Sequence, residues 1–183
     1  LVEARKLIEK KSYAAAAGLL GDVLAARTDF AFKPDRSAPL YRRLKPAAEQ
    51  LLAKFPPEGL AEYELQFGNL ARRRLDEAVA QGDAASLADV VQSFFYTEAG
   101  AEAAFLLGAH YRTAGHFLRA AFYLQRLESE PRRAVRFQPA LGVELASCYL
   151  KSRQPALAQE VLLRWKASQP GPLSLGGLDR RPF

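Results

Sequence analysis

The side chains of this 183-residue chain with the reactivity to do chemistry are two histidines, one cysteine and a scatter of carboxylates. A metal site needs ligands that converge. His110 and His116 are six residues apart, which puts them on different faces of a helix, and Cys148 belongs to another segment. Each histidine reads as a surface or packing residue, and Cys148, inside a helical pattern, reads as an inert buried thiol. The chain has no GxSxG, no HExxH and no phosphate-binding glycine loop. Glu58 and Glu62 lie four apart, but near the start of a helix, where acidic side chains offset the helix dipole and need no catalytic reason. The expectation is a protein with no catalytic residue, no metal and no cofactor, working by contact with other protein surface.

The other chemistry on offer is charge. Net charge is +6 and the pI about 9.6, a balance that favours acidic partners, anionic lipid or nucleic acid without choosing among them. The cations fall in three clusters: Tyr41, Arg42, Arg43 and Lys45; Arg72, Arg73 and Arg74; and Arg132, Arg133 and Arg136. Three consecutive arginines point around a helix and cannot share one face. Nucleic-acid binding would need the clusters to merge into one stripe, and aromatic interleaving occurs only near Tyr41. A basic repeat that binds nucleic acid or another polyanion is therefore the rival reading, with protein binding preferred.

The elements that position these residues are helices. Hydrophobic residues make up 49% and charged residues 25% of the chain, close to the usual balance of folded globular proteins. Ala, Leu, Arg and Glu dominate, and Val and Ile are sparse, which favours helix over sheet. No stretch is long and apolar enough to span a membrane, and none reads as a signal peptide. The chain begins at Leu1 and contains no Met, as expected of a piece of a longer protein.

A repeat organises the helices. In LLGAHYRTAGHFLRAAFYLQRLESEP, from Leu106 to Pro131, the places of a TPR unit are taken by Leu107, Gly108, Tyr111, Gly115, Ala120, Leu124, Leu127 and Pro131. Small residues at 108 and 120 let two helices cross closely, and Gly115 supplies the left-handed turn position. The pattern returns at Leu145, Ala146, Tyr149, Ala158, Leu162, Trp165 and Pro170. Its spacing is slightly longer than the standard repeat of about 34 residues, the surplus falling in the linker PRRAVRFQP. A weaker copy stands at the N-terminus, with Ala4 and Leu7, then Tyr13, Ala16, Leu20 and Val23. Between them, Thr28 to Pro39 reads as a loop and Leu40 to Lys54 as a helix ended by FPPEG. A long helix follows over Gly59 to Gln81, with apolar faces drawn from Tyr63, Leu65, Phe67, Leu70, Leu75 and Val79. Gly82-Asp83 is a turn, and Leu87, Val90, Val91 and Phe94 face inward on the next helix. The expected fold is all-α: TPR-like antiparallel helical hairpins stacked in a right-handed solenoid over residues 1–170. Residues 171–183 form a Gly/Pro-rich exit segment in which LSLGG is a short strand or an extended linker.

Three stretches resemble a known family: FPPEGLAEYELQFGNLARRRLDEAVAQGD, YTEAGAEAAFLLGAHYRTAGHFLRAAFYLQRL and LSLGGLDRRPF. They look like the TPR-like helical N-terminal region of bacterial proteins that continue into a PQQ-type β-propeller. The PPEGL and TEAG segments are the more specific parts of the likeness, which runs over most of the chain from Leu40. The resemblance implies a periplasmic or cell-envelope setting, a scaffolding role and a β-propeller C-terminal to this chain. It supplies no catalytic residue and no PQQ site to carry over.

In a TPR array the exposed positions of each first helix line the inner face. Here they are Glu102, Phe105, Ala109, Arg112 and Thr113 in one repeat and Ala140, Val143, Ser147, Leu150 and Lys151 in the next. The face is apolar with isolated cations. It suits an amphipathic helix or extended peptide, with Arg112 and Lys151 meeting carboxylates. Chaperone-type TPRs clamp a C-terminal carboxylate with Lys and Asn; Phe105, Ala109, Val143 and Ser147 stand at those places, so that mode is not expected. The alternative is that Phe105, Val143 and Leu150 pack against a neighbouring helix or a further domain.

Overall fold

The computed structural model describes residues 1–33, 40–168, 173–175 and 178–180, the last two segments and Ser168 by backbone alone. The described residues are mostly helical, with ten α-helices and two short strand pairs. The chain divides into two compact units, 1–104 and 105–183, and the division falls inside one helix.

The first unit opens with α1 (Val2–Glu9) and α2 (Tyr13–Ala25), which pack together and bury Ala4, Ala16, Ala17, Leu20 and Leu24. Strand β1 (Ala31–Phe32) pairs antiparallel with β2 (Arg42–Arg43), and α3 (Leu44–Leu52) follows. The helix expected from Leu40 therefore starts four residues late. The ladder holds residues 42 and 43 extended, the Phe30 carbonyl accepts from Leu44 N–H at 2.8 Å, and the Asp29 carboxylate accepts from Lys45 N–H at 3.0 Å. Asp29 thus caps a helix from a distant point in the chain, and it also holds Arg43 at 2.9 Å. Of the expected loop, Thr28–Pro39, residues 34–39 lie outside the described set.

Helix α4 (Pro57–Gln81) begins on a proline, whose missing N–H costs nothing at the first position. It ends on Gly82 at φ +62°. Its inner face is Tyr63, Ala71, Leu75 and Ala78; Tyr63 is fully buried, and its hydroxyl donates to the Ser93 carbonyl at 3.1 Å. Leu65 and Val79, expected among its apolar faces, are exposed, because their helical angle places neither on the Tyr63–Leu75 stripe. Phe67 lies over Gly21 of α2, where a Cβ would come within 2.1 Å of the ring.

Helix α5 (Ala84–Phe94) buries Leu87, Val90, Val91 and Phe94 as expected. Its cap is Asp83, whose carboxylate accepts from Ala85 N–H at 2.9 Å, Ser86 N–H at 3.2 Å and the Ser86 hydroxyl at 2.6 Å. The Ser86 hydroxyl, then the Ala85 amide, hold this carboxyl below its ordinary range. A depressed carboxyl contributes stability above its unfolded pKa and loses it as pH falls through the folded value. Asp83→Ala is therefore expected to melt below the parent at neutral pH. The gap should close as acid protonates the cap, which paired thermal melts across the acid range will show.

Helix α6 (Glu98–Thr113) carries the division between the units. In the second unit it pairs with α7 (Phe117–Glu128) across a turn at Gly115, φ +79°. A Cβ on Gly108 would come within 2.5 Å of Leu124 of α7, so the small residue is required by close approach of the two helices. Ala120, Leu124 and Leu127 are buried. The expected linker 131–139 is ordered as α8 (Pro131–Ala134) and a 3₁₀ turn (Val135–Phe137), held by buried Ala134 and by Phe137 stacked on Phe105 with centroids 5.0 Å apart. Helices α9 (Ala140–Lys151) and α10 (Pro155–Ser168) form the last hairpin, and α9 also packs on α7. Leu145, Ala146, Tyr149, Ala158 and Trp165 are buried, but Leu162 is 40% exposed and Val161 takes the inward position. Pro170 lies outside the described residues. In the exit segment, β3 (Leu173–Leu175) pairs antiparallel with β4 (Leu178–Arg180).

Candidate functional site

The expected inner-face positions of the second unit lie on α6 and α9, which one ion pair links. The Arg112 guanidinium of α6 ion-pairs with the Glu144 carboxylate of α9, both side chains about one-third exposed. Phe105, Ala109, Val143 and Ser147 are half-buried. Phe105 spends its ring on Phe137, so part of this face is packing. Thr113, Ala140, Leu150 and Lys151 are exposed, Leu150 at 57%. The face is therefore open at its C-terminal end and again at Ala140, the start of α9. Arg112, expected to meet a partner's carboxylate, is already matched by Glu144 inside the fold.

Glu102 belongs to the first unit, where it accepts from Arg72 of α4 at 2.9 Å. Beside that pair is a depression between α4 and the first turn of α6, lined by Glu64, Leu65, Asn69, Arg72, Glu98 and Ala99. The Glu64 carboxylate accepts from Glu98 N–H at 2.9 Å, closing the open helix end, and Leu65 stands 76% exposed at the rim. Sequence reasoning missed Glu64, Leu65 and Asn69. The sequence places Leu65 on an apolar face of the long helix, and an exposed leucine off the main stripe is the signal that marks such a rim.

The cations of the arginine clusters take different partners. Arg72 reaches Glu102, Arg74 lies over the Phe94 ring at 5.4 Å and Arg73 is exposed. Arg43 holds Asp29, and Arg136 lies over the Phe137 ring at 5.0 Å. These cations serve the fold as much as the surface.

His110 and His116 both sit against Tyr111, at 5.4 and 6.2 Å between centroids, and both are exposed. Among the described residues no group of three or more His, Cys, Asp or Glu is placed to hold a metal ion, and no helix is long and apolar enough to cross a membrane. Cys148 is fully buried; burial first, then the Glu144 carboxylate, push its thiol above the ordinary range. It is expected to resist iodoacetamide in the native protein and to alkylate at the free-thiol rate once the chain is unfolded in denaturant. Mass spectrometry of the alkylated protein checks this; rapid native labelling would show that the helix pair around it opens.

In comparisons with known proteins the chain matches no family model, no curated protein and no solved structure.

Proposed function

We propose that the chain is a non-catalytic interaction module of TPR-like helical hairpins, stacked with a right-handed turn within each unit, that binds a protein segment on the face of its first helices. The observation that carries this reading is the Arg112–Glu144 pair, which seats α6 and α9 side by side as first helices of successive repeats do. The face beside it is half-buried, mainly apolar and ends on exposed Leu150 and Lys151. That surface suits an amphipathic helix or an extended peptide. Since Arg112 is matched internally, Lys151 carries the selection for an acidic group there. The PPEGL and TEAG likeness supports the setting: a bacterial cell-envelope or periplasmic protein in which this module is followed by a PQQ-type β-propeller, itself a candidate occupant of the face.

A photo-crosslinking residue at Leu150 or Ser147, introduced in the cells that make the protein, tests this. A discrete protein adduct from those positions and none from Gln159, exposed on α10, is the expected result. Equal labelling from all three sinks the assignment. The polyanion reading makes a different forecast. It requires tight binding to arbitrary duplex DNA with affinity falling steeply in salt, since released counterions would drive it.

A further inference from the structure

The turn edge of the second unit has a charge pattern that the inner face does not explain. Between Glu102 and Glu128 the chain carries three arginines and no carboxylate; between Glu144 and Glu160 it carries Lys151 and Arg153 and again no carboxylate. The fold brings these two acid-free stretches together. Gly115, His116, Phe117, Leu118 and Arg119, from the α6–α7 turn and the start of α7, line one open depression with Ser152 from the α9–α10 turn. Lys151 and Arg153 flank Ser152 in the chain, and both are exposed. Arg112 is answered by Glu144, but no carboxylate among the described residues pairs with Arg119, Lys151 or Arg153. Arg119 is held over the Tyr111 ring at 5.7 Å. That contact fixes the guanidinium at the surface, so less freedom is lost when an anion binds it.

Apolar surface adjoins these cations. Leu118 is 60% and Phe122 62% exposed; four apart on α7, they form one row that starts in the depression. We propose that this edge docks an acidic amphipathic protein segment, its carboxylates on Arg119, Lys151 and Arg153 and its apolar side chains along Leu118 and Phe122. Lys151 is shared with the α6–α9 face, but Leu118, Arg119 and Phe122 lie on α7 and Arg153 in the α9–α10 turn, and these four carry the proposal. Protein is favoured over nucleic acid by the state of the aromatic rings. Tyr111 and Tyr123 stack on each other, 5.8 Å apart and 13° from parallel, and Arg119 covers Tyr111, so Phe122 and His116 are left as the exposed rings here, a short platform for a run of bases. Three cations also make a short track for a phosphate backbone.

The test uses the 183-residue chain and fluorescence anisotropy with three labelled probes: a short peptide of Glu and Leu, the same peptide with Gln for Glu, and single-stranded DNA of matching charge. The Glu peptide is expected to bind at low salt and the Gln peptide not. The double variant Arg119→Glu/Arg153→Glu should weaken binding about tenfold or more, because like charges then face each other. Leu118→Ser/Phe122→Ser should weaken it too, while both surface variants melt like the parent. No measurable binding of the Glu peptide overturns the proposal, as does binding that neither variant changes. DNA binding as tight as the Glu peptide's, and equally lost in the charge-reversed variant, overturns it in favour of a polyanion site.

Discussion

Gly100→Ala is expected to cost about 3 kcal/mol or more, a fall of roughly 10 °C in Tm for a chain of this size. A Cβ at Gly100 would stand 1.9 Å from the Phe94 carbonyl oxygen, 2.4 Å from its carbon and 2.8 Å from the Phe95 Cα. All three are backbone atoms, so no side chain can swing away. The α5–α6 turn is also tied down. Thr97 is fully buried; its hydroxyl donates to the Phe94 carbonyl at 2.8 Å and accepts from Gly100 N–H at 3.0 Å. To admit one methyl group, the first turn of α6 must lift off the end of α5 and break that bridge. Alanine is ordinarily the better helix residue by about 1 kcal/mol, so a melt of Gly100→Ala equal to the parent's would show that the close approach is absent.

The second large effect separates packing from surface in the α6–α7 hairpin. Gly108→Leu is expected to cost about 3 kcal/mol, since its Cβ alone would meet the Leu124 Cδ2 at 2.5 Å and Cγ at 2.6 Å before the rest of the side chain is placed. Position by repeat frame would make Arg112→Leu nearly neutral. The structure revises that, because the substitution leaves the Glu144 carboxylate, about 29% exposed, beside leucine. A pair at this depth lies between a surface ion pair and a buried one, and its loss is expected to cost about 1–2 kcal/mol. Thermal melts of Gly108→Leu, Arg112→Leu and Arg112→Leu/Glu144→Leu decide the matter. The double variant should recover part of the single variant's loss, because no orphan charge remains. If Arg112→Leu proves the most destabilising, the hairpin contact at Gly108 is not as close as described.

The PPEGL and TEAG segments each contain a glycine at a point of close approach. At Gly59 a Cβ would meet Phe55 at 2.7 Å and Tyr13 at 3.2 Å, and Gly100 meets backbone. The sequence marks such positions as unusual, but it does not say what they touch. The neighbours come from other elements.

What the residues alone determine is local. Helix content, the breaks at FPPEG, Gly82-Asp83 and Gly115, and the burial of Leu107, Ala120, Leu145 and Ala158 follow from helical periodicity, turn residues and caps, whose partners lie within a few positions of one another. Tertiary structure alone decided where distant groups meet. Asp29 sets the start of α3 from across a strand pair, and Phe105 orders the 131–137 segment through Phe137. On α10 Val161 turns inward in place of Leu162, and Glu144 claims the guanidinium that a partner was expected to find. Chain position tells a side chain its helix and roughly its face. Which charge is spent inside the fold and which is left for a partner depends on contacts between segments many residues apart, and those exist only once the helices have packed.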